Sequence, residues 1–84
     1  MKKNLPLEEQ ESIVLYDYYD NNINIYTSRL ITYKRIMKIL GQPSKIMKDN
    51  DLFYNAEWII PFTERDRIAK ATSIMTLLKK VHEK

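Results

Sequence analysis

The chain has no cysteine and a single glycine, Gly41, in 84 residues. Without cysteine there is no disulfide framework, no thiolate nucleophile and no cysteine zinc site. One glycine excludes the glycine-rich phosphate loop and the dinucleotide-binding fingerprint, which both need several. With only three prolines, collagen-like, linker-like and low-complexity chains are excluded too. No apolar run approaches the ~18 residues of a membrane span. Met1-Lys2-Lys3 leads into Asn4-Leu5-Pro6-Leu7-Glu8-Glu9, which lacks the apolar core of a signal peptide. The expectation is a soluble, cytoplasmic chain without membrane contact.

Catalytic and metal-binding groups are equally scarce. The lone histidine, His82, lies near the end of a helical segment, where neither a Ser-His-Asp triad nor a multi-histidine metal site can be built around it. Asp49-Asn50-Asp51 has a superficial likeness to a calcium loop, but the sixth and twelfth positions hold Tyr54 and Ile60 where an EF-hand needs Gly and Glu. It reads as a turn. Glu8, Glu9 and Glu11 could approach Asp17 or Asp20, yet nothing places a carboxylate pair in a pocket. The reading is non-enzymatic, with no cofactor and no metal.

What the chain does have is ordinary globular composition, 44% hydrophobic and 30% charged, enough for one modest core. Residues 1–11 read as a flexible or short helical lead-in, and residues 12–84 as a single domain. Fourteen Lys and Arg against eleven Asp and Glu give +3, spread along the chain. The basic clusters are Lys34/Arg35/Lys38 and Lys79/Lys80 with Lys84. Placement near helix C-termini, where cations complement the dipole, accounts for both without any partner.

Ser12-Ile13-Val14-Leu15-Tyr16-Asp17-Tyr18-Tyr19 is rich in β-branched and aromatic residues and predicts a strand. Asp20-Asn21-Asn22 predicts a hairpin turn, because Asn tolerates positive φ. Ile23-Asn24-Ile25-Tyr26-Thr27 alternates as a second strand. Thr27 or Ser28 can cap a helix over 29–40, which Gly41 and Pro43 terminate. On that helix Leu30, Tyr33, Ile36, Met37 and Leu40 form the apolar stripe, while Ile31 falls among Lys34, Arg35 and Lys38. Lys45–Lys48 predicts a weak strand and Leu52–Phe62 a strong one, with Pro61 at its end. Thr63 is the expected cap of a second helix bearing Ile68, Ala71, Met75, Leu78 and His82 on one face. Thr72-Ser73, poor helix chemistry, marks a place where it could break.

The order ββαββα predicts an α+β two-layer sandwich: a four-stranded antiparallel sheet with two helices on one face. A gapless match of Ile23–Leu40 onto Ile59–Thr76 pairs strand end, cap and early helix, and needs no more than two helices starting by the same rules. Strict alternation sends Ile23, Ile25, Tyr54, Ala56, Trp58 and Ile60 inward, with Trp58 as the core anchor. It leaves Asn24, Tyr26, Phe53, Asn55, Glu57 and Ile59 on the outer face, and a two-residue first turn adds Ile13, Leu15 and Tyr19. That face is too apolar to be idle.

Asn24-Ile25-Tyr26-Thr27-Ser28, Ile39-Leu40-Gly41-Gln42-Pro43 and Ala56-Glu57-Trp58-Ile59-Ile60-Pro61-Phe62 resemble segments of short uncharacterised proteins encoded by bacteriophages and prophages of low-GC bacteria. The likeness covers about residues 23–73, and its motifs are structural. It implies a class of biology, in which small proteins bind and disable or redirect a host macromolecule in the bacterial cytoplasm, and it carries over no functional residue. Two functions compete. One is a regulator or inhibitor that binds a host protein, or itself as a homodimer, through Tyr19, Asn24, Tyr26, Phe53, Asn55 and Glu57. The other is a nucleic-acid-binding accessory protein with Lys34, Arg35, Lys38, Lys45 and Lys48 on phosphates and exposed aromatics stacking bases. A structural phage component is a third reading that no residue favours.

Overall fold

The computed structural model describes residues 3–4, 6 and 9–82, the side chains of Asn4 and of residues 74–82 excepted. The elements are β1 (Lys3–Asn4), β2 (Ser12–Asp17), β3 (Asn22–Thr27), α1 (Leu30–Leu40), β4 (Lys45–Asp49), β5 (Leu52–Pro61) and α2 (Arg65–His82). The architecture is the predicted ββαββα sandwich, with both helices on one face of an antiparallel sheet. Its four main strands run β4-β5-β3-β2. The long β5 holds β4 along one edge and β3 along the other, from Ala56 to Pro61. Beside β3, Lys3 and Asn4 pair in parallel with Leu52 and Phe53 of β5.

Described residues of this first segment bond to the rest of the chain. Lys3 N–H donates to the Asp51 carbonyl at 2.8 Å. The Ser28 hydroxyl accepts the Glu11 N–H at 2.7 Å and lies 3.3 Å from the Glu9 and Glu11 carbonyls. Ser28, expected as a helix cap, instead pins the segment before β2. Thr27 does not cap α1 either: the N-cap is Arg29, with no side-chain cap bond, and Thr27 Oγ1 accepts the Arg29 N–H at 3.1 Å.

Both hairpins turn on asparagine in the left-handed region, Asn21 at φ 56° and Asn50 at φ 53°. The first loop spans the four residues Tyr18 to Asn21, whereas the sequence marks Asp20-Asn21-Asn22, and a two-residue turn is the condition for adding Ile13, Leu15 and Tyr19 to the outer face. Two and four share a parity, so Ile13 and Leu15 still fall on the outer face, opposite Tyr26 and Asn24. Tyr19 leaves the ladder altogether.

The core is Ile23, Ile25, Leu30, Tyr33, Ile36, Leu40, Phe53, Ala56, Trp58, Ile60 and Ala71. Phe53 corrects the strict alternation. Expected on the outer face, it is 0% exposed, with its ring 4.8 Å from that of Tyr33. The cause is a bulge: Met47 pairs with Asn55 and Lys48 with Phe53, so Tyr54 is an extra residue opposite no partner. One inserted residue reverses the facing of everything before it. Phe53 turns in, and Tyr54, expected in the core, is only half-buried.

Trp58 is buried as predicted, opposite Ile25, and its indole N–H donates to the Gly41 carbonyl at 3.0 Å. Gly41 N–H in turn donates to Met37 O at 2.9 Å. Arg67 Nη2 donates to Leu40 O at 2.7 Å and also pairs with Glu64. Thus Trp58 and Arg67 satisfy two carbonyls at the C-terminus of α1, from the sheet and from α2. In α2, Ile68 N–H bonds Glu64 O, so the cap position is Glu64, one residue past the expected Thr63, and the helix starts at Arg65. It runs unbroken through Thr72-Ser73, with Thr72 Oγ1 donating to Ile68 O at 2.9 Å. The stripe positions Met75, Leu78 and His82, and the Lys79/Lys80/Lys84 cluster, lie outside the described side chains. The gapless match pairs buried Ile23 with outward Ile59, whereas the ladder sets Ile23 opposite Ile60. The two halves do not superpose face for face.

Trp58→Ala is expected to cost ~3–5 kcal/mol, and Phe53→Ala a similar amount, each enough to unfold a domain of this size. A cooperative denaturant melt close to wild type for Phe53→Ala would remove the bulge. Gly41 sits at φ 79°, ψ −153°, a region nearly restricted to glycine. A Cβ there would meet nothing within 4 Å. Gly41→Ala should therefore cost ~1–3 kcal/mol from backbone strain alone, measured by the same melts.

Candidate functional site

The sheet has two unlike faces. α1 and α2 cover one, and no described residue covers the other. Paired residues share a face, so the register sets Ile13 and Leu15 of β2, Asn24 and Tyr26 of β3, Asn55, Glu57 and Ile59 of β5, and Lys45 and Met47 of β4 on the open side. Leu15 is 60% exposed, and Ile13, Met47 and Ile59 are exposed as well. Tyr26 lies near the middle, half-buried between its ladder neighbours Ile13 and Glu57.

Of the six residues expected to bind a partner, four come together here: Asn24, Tyr26, Asn55 and Glu57. Phe53 is in the core. Tyr19 is 94% exposed, but it sits at the tip of the first hairpin, where Asp17 Oδ1 accepts the N–H groups of Tyr19 and Asp20 at 3.1 Å. Glu11 was not anticipated, because the residue before a strand gives no alternation signal. Alternation alone places Ile59 on this face, whereas Met47 is legible only once its pairing with Asn55 is known.

Glu11, Ile13, Leu15, Asn24, Tyr26 and Glu57 line a shallow depression of about 210 Å³. Burial raises the Tyr26 phenol above its ordinary value, and the carboxylates of Glu11 and Glu57 add to the effect. Asn22 Oδ1 and Asn24 Oδ1, on the same face, are shielded and have no hydrogen-bond partner among the described residues.

The basic residues do not form one patch. Lys34, Arg35 and Lys38 are exposed on the outward side of α1, with Ile31 among them as expected. Lys45 lies beside Glu57 on the open sheet face, and Lys48, past the bulge, pairs with Phe53. The α1 cations and Tyr26 are thus on opposite sides of the molecule, with the sheet between them. Among the described residues no group of three or more His, Cys, Asp or Glu could hold a metal ion, and no helix is long and apolar enough to cross a membrane.

Comparison of the chain with protein-family models, with curated proteins and with solved structures finds no match.

Because the folded state favours the neutral phenol, the stabilisation linked to Tyr26 is complete below the unfolded phenol pKa and is lost as pH rises through the folded one. In an alkaline titration followed by phenolate absorbance, Tyr26 should ionise above the ordinary phenol range. Tyr26→Phe should remove that step, and Glu11→Gln or Glu57→Gln should lower it.

Proposed function

We propose that this chain is a small non-enzymatic binding protein, of phage or mobile-element type, that regulates or inhibits a host protein through the open face of its sheet. The observation that carries this reading is the aliphatic surface of Ile13, Leu15, Ile59 and Met47 around half-buried Tyr26, left bare by a fold that covers its other face. An apolar patch with a central aromatic and a polar rim is the usual make-up of a protein-binding hot spot. The resemblance to short phage proteins supports a host target.

Nucleic-acid binding is less well supported, because base stacking needs aromatics beside the cations. Phe53 is buried, and Tyr26 is across the sheet from Lys34, Arg35 and Lys38.

The test is affinity capture from bacterial lysate with and without nuclease. A third carboxylate beside Glu11 and Glu57 would be repelled, so Tyr26→Lys is the cleaner probe than Tyr26→Asp. Tyr26→Lys should abolish capture of the partner while shifting stability by less than about 1 kcal/mol. Lys34→Glu/Lys38→Glu should leave capture intact. Binding should barely respond to salt, whereas a contact through several phosphates would weaken roughly tenfold or more between 50 and 200 mM. Nuclease-sensitive capture lost only in the lysine variant would overturn the reading.

A further inference from the structure

The two edges of the sheet are built differently. β4 carries Lys45 and Lys48, every residue of it is exposed, and the ladder beside it is interrupted by the bulge at Tyr54. Lysines and bulges are what natural edges use to refuse another strand. β2, at the opposite edge, is six residues of uninterrupted ladder, Ser-Ile-Val-Leu-Tyr-Asp, with no lysine, proline or bulge and one charge at its end. We propose that β2 pairs antiparallel with β2 of a second copy, giving one continuous sheet across a two-fold axis at Val14.

The backbone phase makes this edge self-complementary. Glu11 N–H donates to Ser28 Oγ and Ser28 N–H donates to Glu11 O at 2.8 Å, so Glu11 turns its main-chain groups toward β3. Alternate residues of an antiparallel strand share an edge. Ile13, Leu15 and Asp17 therefore face β3, and Ser12, Val14 and Tyr16 present N–H and C=O to the open side. With Val14 opposite Val14 of the second copy, Ser12 meets Tyr16 and Tyr16 meets Ser12. All are edge-facing, making three pairs of two hydrogen bonds each. Sliding one residue sets edge-facing groups against inward ones, and sliding two loses a pair.

Side chains agree with that register. On the open face Ile13 of each copy lies against Leu15 of the other, and both are exposed in the single chain. These are non-hydrogen-bonded positions, where cross-strand side chains approach most closely. On the helix side, small Ser12 opposes bulky Tyr16, next to a groove of about 490 Å³ bordered by Tyr16, Tyr18, Phe62 and Ile68. At each end of the ladder Glu11 falls opposite Asp17 of the second copy, a like-charge contact. The Asp17 carboxylate is folded into its own turn by the N–H groups of Tyr19 and Asp20, which limits the repulsion. The pairing needs no host partner but shares Ile13 and Leu15 with the proposed partner-binding face, and it joins the two open faces into one bivalent surface.

Sedimentation equilibrium with hydrogen exchange tests the proposal. Wild type should form dimers, and the Ser12, Val14 and Tyr16 amides should gain protection as concentration rises. Val14→Pro should be monomeric, because proline there removes the outward N–H at the centre of the ladder, and circular dichroism checks that the fold survives the loss of the Val14 side chain from the edge of the core. Leu15→Lys should also be monomeric and, being exposed, should keep wild-type circular dichroism. Asp17→Asn should tighten the dimer roughly two- to fivefold, and added salt should act in the same direction. Tyr26→Lys should stay dimeric, so failure of the partner-binding reading is visible separately. A wild type that is monomeric at millimolar concentration, with those three amides exchanging freely, overturns the proposal; so does a dimer that survives both Val14→Pro and Leu15→Lys.

Discussion

The contact on which the rest of the structure depends is the hydrogen bond from the Trp58 indole to the Gly41 carbonyl. It lets the largest buried side chain rest in the core with its one polar atom satisfied, where an unmet donor would cost ~1–3 kcal/mol. It also fixes the end of α1 against the central strand β5. Gly41 can accept that bond because its unusual backbone geometry turns its carbonyl away from the helix, and Arg67 then reaches Leu40 O from α2. Sheet, first helix and second helix thus meet at one helix terminus. Around it Tyr33 packs on both Phe53 and Trp58, at 4.8 and 6.0 Å between ring centroids.

From this junction follows the division of the sheet. A chain of this length has two helices to spend on covering a four-stranded sheet, and both are committed to the side that holds Trp58. The other face mixes polar residues of the central strands, Asn22, Asn24, Asn55 and Glu57, with Tyr26 and Ile59 of those strands and aliphatic Ile13, Leu15 and Met47 on the flanking ones. Such a pattern tolerates water while offering apolar anchors to a partner, which is the physical basis for the binding role proposed. The contrast between the lysine-bearing β4 edge and the bare β2 edge fits the same logic. Lysines lie within the β4 edge, whereas β2 has no lysine and carries its single charge, Asp17, at its end.

The sequence by itself determined the element order, the layer architecture and most of the core. Period-two alternation in Ile23–Thr27, the helical stripe from Leu30 to Leu40 and the Gly41-Gln42-Pro43 stop are local signals, and local signals survive into the fold. Trp58, Ile25 and Ile60 could be placed inward for the same reason, and Asn24, Tyr26, Asn55 and Glu57 outward. Only the tertiary structure decided what depends on a neighbouring strand. The bulge at Tyr54 exists in the pairing with β4, and it moved Phe53 from the expected binding face into the core. The four-residue first loop, set by the Asp17–Asn22 pair, lifted Tyr19 out of the ladder while leaving Ile13 and Leu15 in place. Ser28 was legible as a residue that caps, but its partner proved to be the segment at Glu9–Glu11, seventeen or more positions away. Strand register, bulges and long-range polar contacts are properties of two segments at once, and the pattern within either segment does not encode them.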